Sequence, residues 1–383
     1  MSTSKKGDLD EFSLSNIDNL HISLNNGCVD IPENDLLYMK ESYNGNYFYI
    51  LSEQKILVFN KLLKQVNNLS INKFSKINPP FSYCYNNNNK NILSYHYSYK
   101  YLIFETLECK FFFVAGYLDN SFRIYTKEKD KDIMYSIYTE SRVTCIRNIP
   151  NTSIFFTGHQ NGKIIKWEYS QSNKDSKKEN LIIVQKISSI YAHDTYVKLI
   201  EINVKFEYII STGDDGLVFI RKLYDFELLN YIKIKNNHEI TDINLHNQII
   251  LISVFKVKKS KIYIYSYSLN GIKLEKITEQ IKMPISIKPD SDEIFIFGIF
   301  SIYLVKITFR ERSSLLSLTN NIRLGIFEHP SDDSDEENDI GDNFNNDLSN
   351  STPISYFYDV KNHVLFCMFI NGKLYRINLI RNI

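Results

Sequence analysis

A chain of 383 residues is long enough for one large domain or two to three small ones. With 43% apolar and 23% charged residues it reads as globular rather than disordered. The balance of 45 Lys+Arg against 44 Asp+Glu, net +1, excludes a global charge that would draw nucleic acid or an anionic membrane. The 27 Tyr and 25 Phe, with abundant Ile, favour strands over helices.

The N-terminal twelve residues are polar and hold no apolar core of a secretory signal. No apolar run approaches 18 residues, so no spanning helix is expected, and the sequons at Asn68, Asn151 and Asn350 read as incidental. The first strand signal is "NLHISLNN" (19–26), with Leu20, Ile22 and Leu24 on one face. From residue 34 onward, apolar hairpins follow one another. "NYFYIL" leads into "SEQKILVF", ending at Phe59, and "KFFFVA" leads into "AGYLDNSFRIY", ending at Tyr125. "SIFFTGHQNGKIIKW" ends at Trp167 and "YIISTGDDGLVFIRKL" carries Arg221 at the same place. Weaker copies end at Tyr265, Val305 and Ile377. In the clearest three the turn pair is Asp119-Asn120, Asn161-Gly162 and Asp215-Gly216, and the last residue lies five beyond the pair. An Asp or Asn in this position caps the backbone N–H groups of a tight turn.

Three of the six spacings between copies are 40 to 44 residues, the length of a four-stranded propeller blade. The longer three hold polar inserts at 85–91, 170–180 and 331–351. A third apolar strand precedes several hairpins, such as "RVTCI" (142–146) and "VKLIEI" (197–202). Seven such units predict an all-β fold: a single seven-bladed β-propeller over 34–383. The last hairpin ends near the C-terminus, leaving no residues for its outer strand. Residues 1–33 are therefore expected to supply the missing strand from about 19–26 and close the ring.

The middle hairpins resemble WD repeats, which implies that the propeller is of WD-repeat type. Trp167, the sole Trp, stands in the W position, and "YAHD" (191–194) is similar to the family's Gly-His turn with Ala192 for Gly. The resemblance implies a buried tetrad of His, Ser/Thr, Asp and Trp. His193, Ser211 and Asp215 match three members, and Arg221 replaces the fourth. Residues 115–146 resemble more narrowly the C-terminal propeller of BEACH-domain proteins, the neurobeachin and lysosomal-trafficking-regulator group. Gly116, Asp119, Asn120, Ser121, Phe122, Arg123 and Tyr125 match its hairpin, and Val143, Thr144 and Cys145 its next strand. The sequence departs at Leu118, where that group has Trp, and the 33 residues before the first hairpin are too few for a BEACH domain, so the chain is expected to be either a stand-alone propeller or a piece of a larger product.

The eight histidines are scattered, with no His-x-x-x-His or Cys/His cluster, no Gly-rich phosphate loop and no Gly-x-Ser-x-Gly elbow. No catalytic residue, metal or cofactor is expected, and Cys145 reads as core. The turn residues Tyr117, His159, Gln160 and Asp214 are candidates for a partner-binding rim. The acidic stretch 331–351 is too polar to fold, and Ser334, followed by Asp-Glu-Glu, is a candidate phosphosite. The expected function is a non-enzymatic protein-interaction scaffold. By the BEACH resemblance it would act in membrane trafficking, vesicle handling or autophagy. It is expected to be a cytoplasmic monomer with other proteins as partners (a separate BEACH-domain protein among them), indirect membrane association and no direct nucleic acid. The alternative is a substrate receptor or assembly subunit of a ubiquitin-ligase or RNA-processing complex.

Overall fold

The computed structural model describes residues 20–23, 28–31, 36–42, 46–70, 104–106, 111–172, 181–279, 287–324 and 353–381, apart from short turns of at most four residues inside those spans. The three polar inserts fall wholly or largely outside them. Ser334, Leu24 and Leu118 also lie outside the described residues. Among the described residues every regular element is a strand, and no helix is long and apolar enough to cross a membrane.

Two short strands, β1 (Leu20–Ser23) and β2 (Cys28–Asp30), open the chain. Sheet 1 is β3 (Leu36–Glu41), β4 (Tyr47–Ser52), β5 (Lys55–Asn60) and β6 (Gln65–Ser70). Sheet 2 is β7 (Phe104–Thr106), β8 (Phe111–Val114), β9 (Ser121–Glu128) and β10 (Lys131–Tyr138). Sheet 3 is β11 (Val143–Asn148), β12 (Ile154–His159), β13 (Lys163–Ser172) and β14 (Leu181–Tyr191). Sheet 4 is β15 (Val197–Asn203), β16 (Tyr208–Gly213), β17 (Leu217–Lys222) and β18 (Leu228–Lys233). Sheet 5 is β19 (His238–His246), β20 (Ile249–Lys256), β21 (Lys261–Ser268) and β22 (Lys273–Glu279). Sheet 6 is β23 (Ile287–Asp290), β24 (Glu293–Phe297), β25 (Ile302–Arg310) and β26 (Ser313–Leu324). Sheet 7 is β27 (Pro353–Asp359), β28 (Val364–Phe369) and β29 (Lys373–Arg381).

Six sheets are four-stranded antiparallel meanders. The seventh has five strands, because β1 and β2 both lie antiparallel to β29, with His21 opposite Ile380 and Val29 opposite Leu374. Every hairpin-ending residue of the repeat, from Phe59 to Ile377, falls in the third strand of its sheet.

Burial explains the composition. In β4, β12 and β16 five of six positions are buried, so both faces of these second strands are covered. The fourth strands β6 and β18 are mostly exposed. Apolar runs are therefore needed inside and mixed sequence suffices outside. The core lies between sheets. Phe113 and Phe122 of sheet 2, Phe155 and Trp167 of sheet 3, and Val197 and Phe226 of the sheet 4 region form one cluster. A second cluster joins sheets 4 and 5, a third sheets 1 and 2, and a fourth brings Phe48 and Phe59 of sheet 1 against Phe366 and Leu374 of sheet 7. The first strands β11, β15, β19 and β23 approach one another in that order. Five first strands carry a bulge near their start, at Leu36/Tyr38, Val143/Cys145, Val197/Leu199, Ile240/Asp242 and Pro353/Ser355. Each bulge bends and twists its strand.

Candidate functional site: the turn edge of neighbouring sheets

The turns between second and third strands in sheets 2, 3 and 4 are built alike. Asp119 Oδ1 accepts the Ser121 N–H at 3.1 Å, Asn161 Oδ1 the Lys163 N–H at 3.2 Å and Asp215 Oδ1 the Leu217 N–H at 2.9 Å. The next residue is left-handed in each, with φ 57° at Asn120, 78° at Gly162 and 71° at Gly216. Its carbonyl then receives the N–H of the residue leaving the fourth strand. Thr139 N reaches Asn120 O at 2.9 Å, Ala192 N reaches Gly162 O at 2.9 Å and Ile234 N reaches Gly216 O at 2.9 Å. One carbonyl so ties the turn to the connection that enters the next sheet. At Gly162 the packing admits no side chain, since a Cβ would overlap the His193 carbonyl oxygen.

Beneath this edge run buried polar chains. In sheet 4, His193 Nδ1 lies 3.0 Å from Asp215 Oδ2 and Nε2 lies 2.9 Å from Ser211 Oγ. Burial works to raise the Asp215 carboxyl, but His193 and the turn N–H groups outweigh it and hold it below the usual carboxylate range. This connectivity is that of a Ser-His-Asp hydrolase relay. Ser211 is only 1% exposed, however, and the Phe219 ring covers His193 with centroids 4.9 Å apart. No substrate reaches that hydroxyl while the sheet is folded, so the chain of bonds is a brace. Arg221 does not extend it. Its guanidinium lies 5.1 Å from the Phe219 ring and Nη1 donates to the Phe226 carbonyl at 3.2 Å. Phe226 itself is left-handed, with φ 64°.

Sheet 3 solves the same problem with different residues. Trp167 Nε1 donates to Thr157 Oγ1 at 2.8 Å, Thr157 Oγ1 lies 2.7 Å from His159 Nε2, and His159 Nδ1 lies 3.0 Å from the Ser141 carbonyl. A carbonyl accepts only, so Nδ1 carries the proton and the Thr157 hydroxyl donates to Nε2. Burial lowers the His159 pKa to about 4. His159 is 1% exposed and belongs to this chain of bonds, not to a rim. Tyr117 is likewise 2% exposed, with its hydroxyl 2.8 Å from that of Tyr125 and the Arg123 guanidinium 3.7 Å above its ring. Burial, before the Tyr125 contact, drives its pKa strongly upward. Burial thus removes Tyr117 and His159 from the expected recognition surface. Gln160 and Asp214 remain exposed on the turn edge, and Asp214 accepts from the Tyr196 hydroxyl at 3.3 Å.

Alternation along β12 puts Thr157 and His159 on one face, a signal present in "IFFTGH". The groups missed by sequence reasoning are the exposed side chains beside the turns: Tyr138, Glu140 and Tyr191. Cys145 is buried and its thiol is pushed up to about 12, which leaves it inert. Among the described residues no group of three or more His, Cys, Asp or Glu could hold a metal ion. The chain matches no family model and no curated protein.

Proposed function

We propose that the chain is a closed seven-bladed β-propeller of WD-repeat type that serves as a non-enzymatic scaffold for other proteins. One observation carries the reading. Ile31, just after β2, donates its N–H to the carbonyl of left-handed Gly372 at 2.8 Å. That is the tie made by Thr139, Ala192 and Ile234 after their fourth strands. At sheet 7 the N-terminal segment so makes the contact that the residue after the fourth strand makes in sheets 2, 3 and 4, which supports a ring closed between sheets 7 and 1. A second link supports closure: Lys61 of sheet 1 pairs with Asp359 of sheet 7 at 2.6 Å.

A ring of this kind presents many turns on one face and suits multivalent protein binding. The sealed Ser211 and inert Cys145 favour binding over catalysis. The hairpin–strand likeness of 115–146 to the BEACH-associated propeller directs the proposal to membrane trafficking or autophagy, as a cytoplasmic, peripherally recruited monomer. Affinity purification of the tagged full chain from its own cells, with mass spectrometry, tests it. BEACH-domain or vesicle-coat partners that are lost with Gln160→Arg or Asp214→Lys are expected. Ubiquitin-ligase or RNA-particle subunits overturn the trafficking assignment, and no partner at all overturns the scaffold.

A further inference from the structure

At the junction of sheets 2 and 3, one carboxylate is held by two lysines. Lys163 opens β13. It is 9% exposed, and its ammonium lies 2.7 Å from Oε2 of Glu140, whose side chain is 61% exposed. Lys186 on the neighbouring β14 lies 3.9 Å from Glu140 Oε1. The Tyr191 ring closes the other side, with the Lys163 ammonium 5.0 Å from its centroid. Tyr191 is 65% exposed, and Tyr138, two residues before Glu140, is 69% exposed. The two tyrosines occupy equivalent places, each immediately before the residue that ties its fourth strand to a turn carbonyl.

Lys163 is a built group: its stem is packed and its charge is fixed at one point. Glu140 is not. Its side chain is 61% exposed and sits on the connection between sheets, so it gives up little on leaving. Two cations share one anion, so the patch carries a net positive charge when Glu140 is in place and a larger one when it is displaced. The protein's own carboxylate shows which chemistry the lysine pair accepts. The flanking tyrosines supply rigid, amphipathic area of the kind that anchors partner side chains.

We propose that Lys163 and Lys186 receive a carboxylate of an acidic partner peptide, that Glu140 fills the position in the free protein, and that Tyr138 and Tyr191 pack on the residues flanking the incoming acid. The proposal rests on the scaffold reading and names the partner class for one part of its surface.

The probe is a phage-displayed library of random twelve-residue peptides selected on the immobilised full chain. The strongest peptide is then synthesised and its affinity measured by fluorescence anisotropy. Selection of peptides with an Asp or Glu beside apolar residues is expected. Lys186→Met weakens the peptide about tenfold, Lys163→Met at least as much, and Tyr191→Ala several-fold. Glu140→Gln tightens it about two- to fivefold by vacating the position. Lys198→Met, which removes the separate Lys198–Glu239 pair, leaves it unchanged. Lys186 is 41% exposed on an outer strand, so its replacement keeps the test open should Lys163→Met fail to fold. Enrichment of basic or uncharged peptides, no enrichment, weakening by Glu140→Gln, or indifference to Lys186→Met each overturns the site. Those outcomes leave the scaffold reading standing, because co-purification of partners tests it separately.

Discussion

Acid should loosen the sheet 3 brace before it touches the carboxylates. His159 is neutral in its buried site, proton on Nδ1, and accepts from Thr157 at Nε2. Protonation puts a second N–H against the Thr157 hydroxyl, which already receives the Trp167 indole. Burial is the largest cause of the low pKa. The Ser141 carbonyl opposes it, as does Glu140, while Lys163 and Lys186 add to it. A histidine depressed from about 6.5 to about 4 contributes about 3 kcal/mol of stability. The unfolded chain binds the extra proton between those values, so the contribution is full above pH 6.5 and disappears as pH falls through 4. About 2 kcal/mol of it should be lost between pH 7 and 5. The assay is urea unfolding followed by fluorescence, since the sole Trp of the chain, Trp167, is itself in the brace. His159→Gln serves as the reference. The variant is less stable at pH 7 but loses less on going to pH 5, so the two curves converge. Parallel curves for the two proteins would refute the assigned tautomer and the burial argument together. Three depressed carboxylates do not blur the window. Asp119, Asp215 and Asp359 are held below the usual value by their partners against the opposing effect of burial. Their contributions are lost only as pH falls below about 4.

Three further outcomes follow from the packing. Gly162→Ala must strain a left-handed backbone and push its Cβ into the His193 carbonyl, so it costs about 2 kcal/mol or more in thermal melts; Gly216→Ala, with its nearest atom at 3.5 Å, costs about 1 kcal/mol. Equal costs would show that the tie at Gly162 is slack. Arg221→Met strands the Phe226 carbonyl and removes the cation over Phe219, for about 1–3 kcal/mol in chemical denaturation; an unchanged midpoint would mean that Arg221 has no structural part. Asp359→Asn removes the 2.6 Å ion pair to Lys61 and costs about 1–3 kcal/mol, with an increase in proteolysis at the first and last sheets as the readout that localises it.

How much of this was legible depended on range. Second and third strands announced themselves because they are covered on both faces, and continuous apolar runs such as "KFFFV" can sit nowhere else. The Asp or Asn of each turn was visible because its role is local, two residues from the N–H it caps. His193, Ser211 and Asp215 were implied by the resemblance to WD repeats, and the structure joins them. His159 and Tyr117 were misplaced because both stand next to a turn in sequence. Their direction is set by strand alternation and by partners on other elements, Trp167 and Thr157 for one, Arg123 and Tyr125 for the other. The role of Arg221 was hidden for a related reason: its acceptor is a carbonyl in a strained turn that only the folded hairpin brings near. The bulges near the start of five first strands have no residue signature at all.

The central claim is a closed ring of seven sheets with the N-terminus completing the last. Electron microscopy of the purified chain, classified in projection down the ring axis, tests it most directly. The account predicts seven radial densities around a central opening, with residues 1–33 required for the closed form. An open arc, a different number of densities, or a closed ring that persists without residues 1–33 would contradict it.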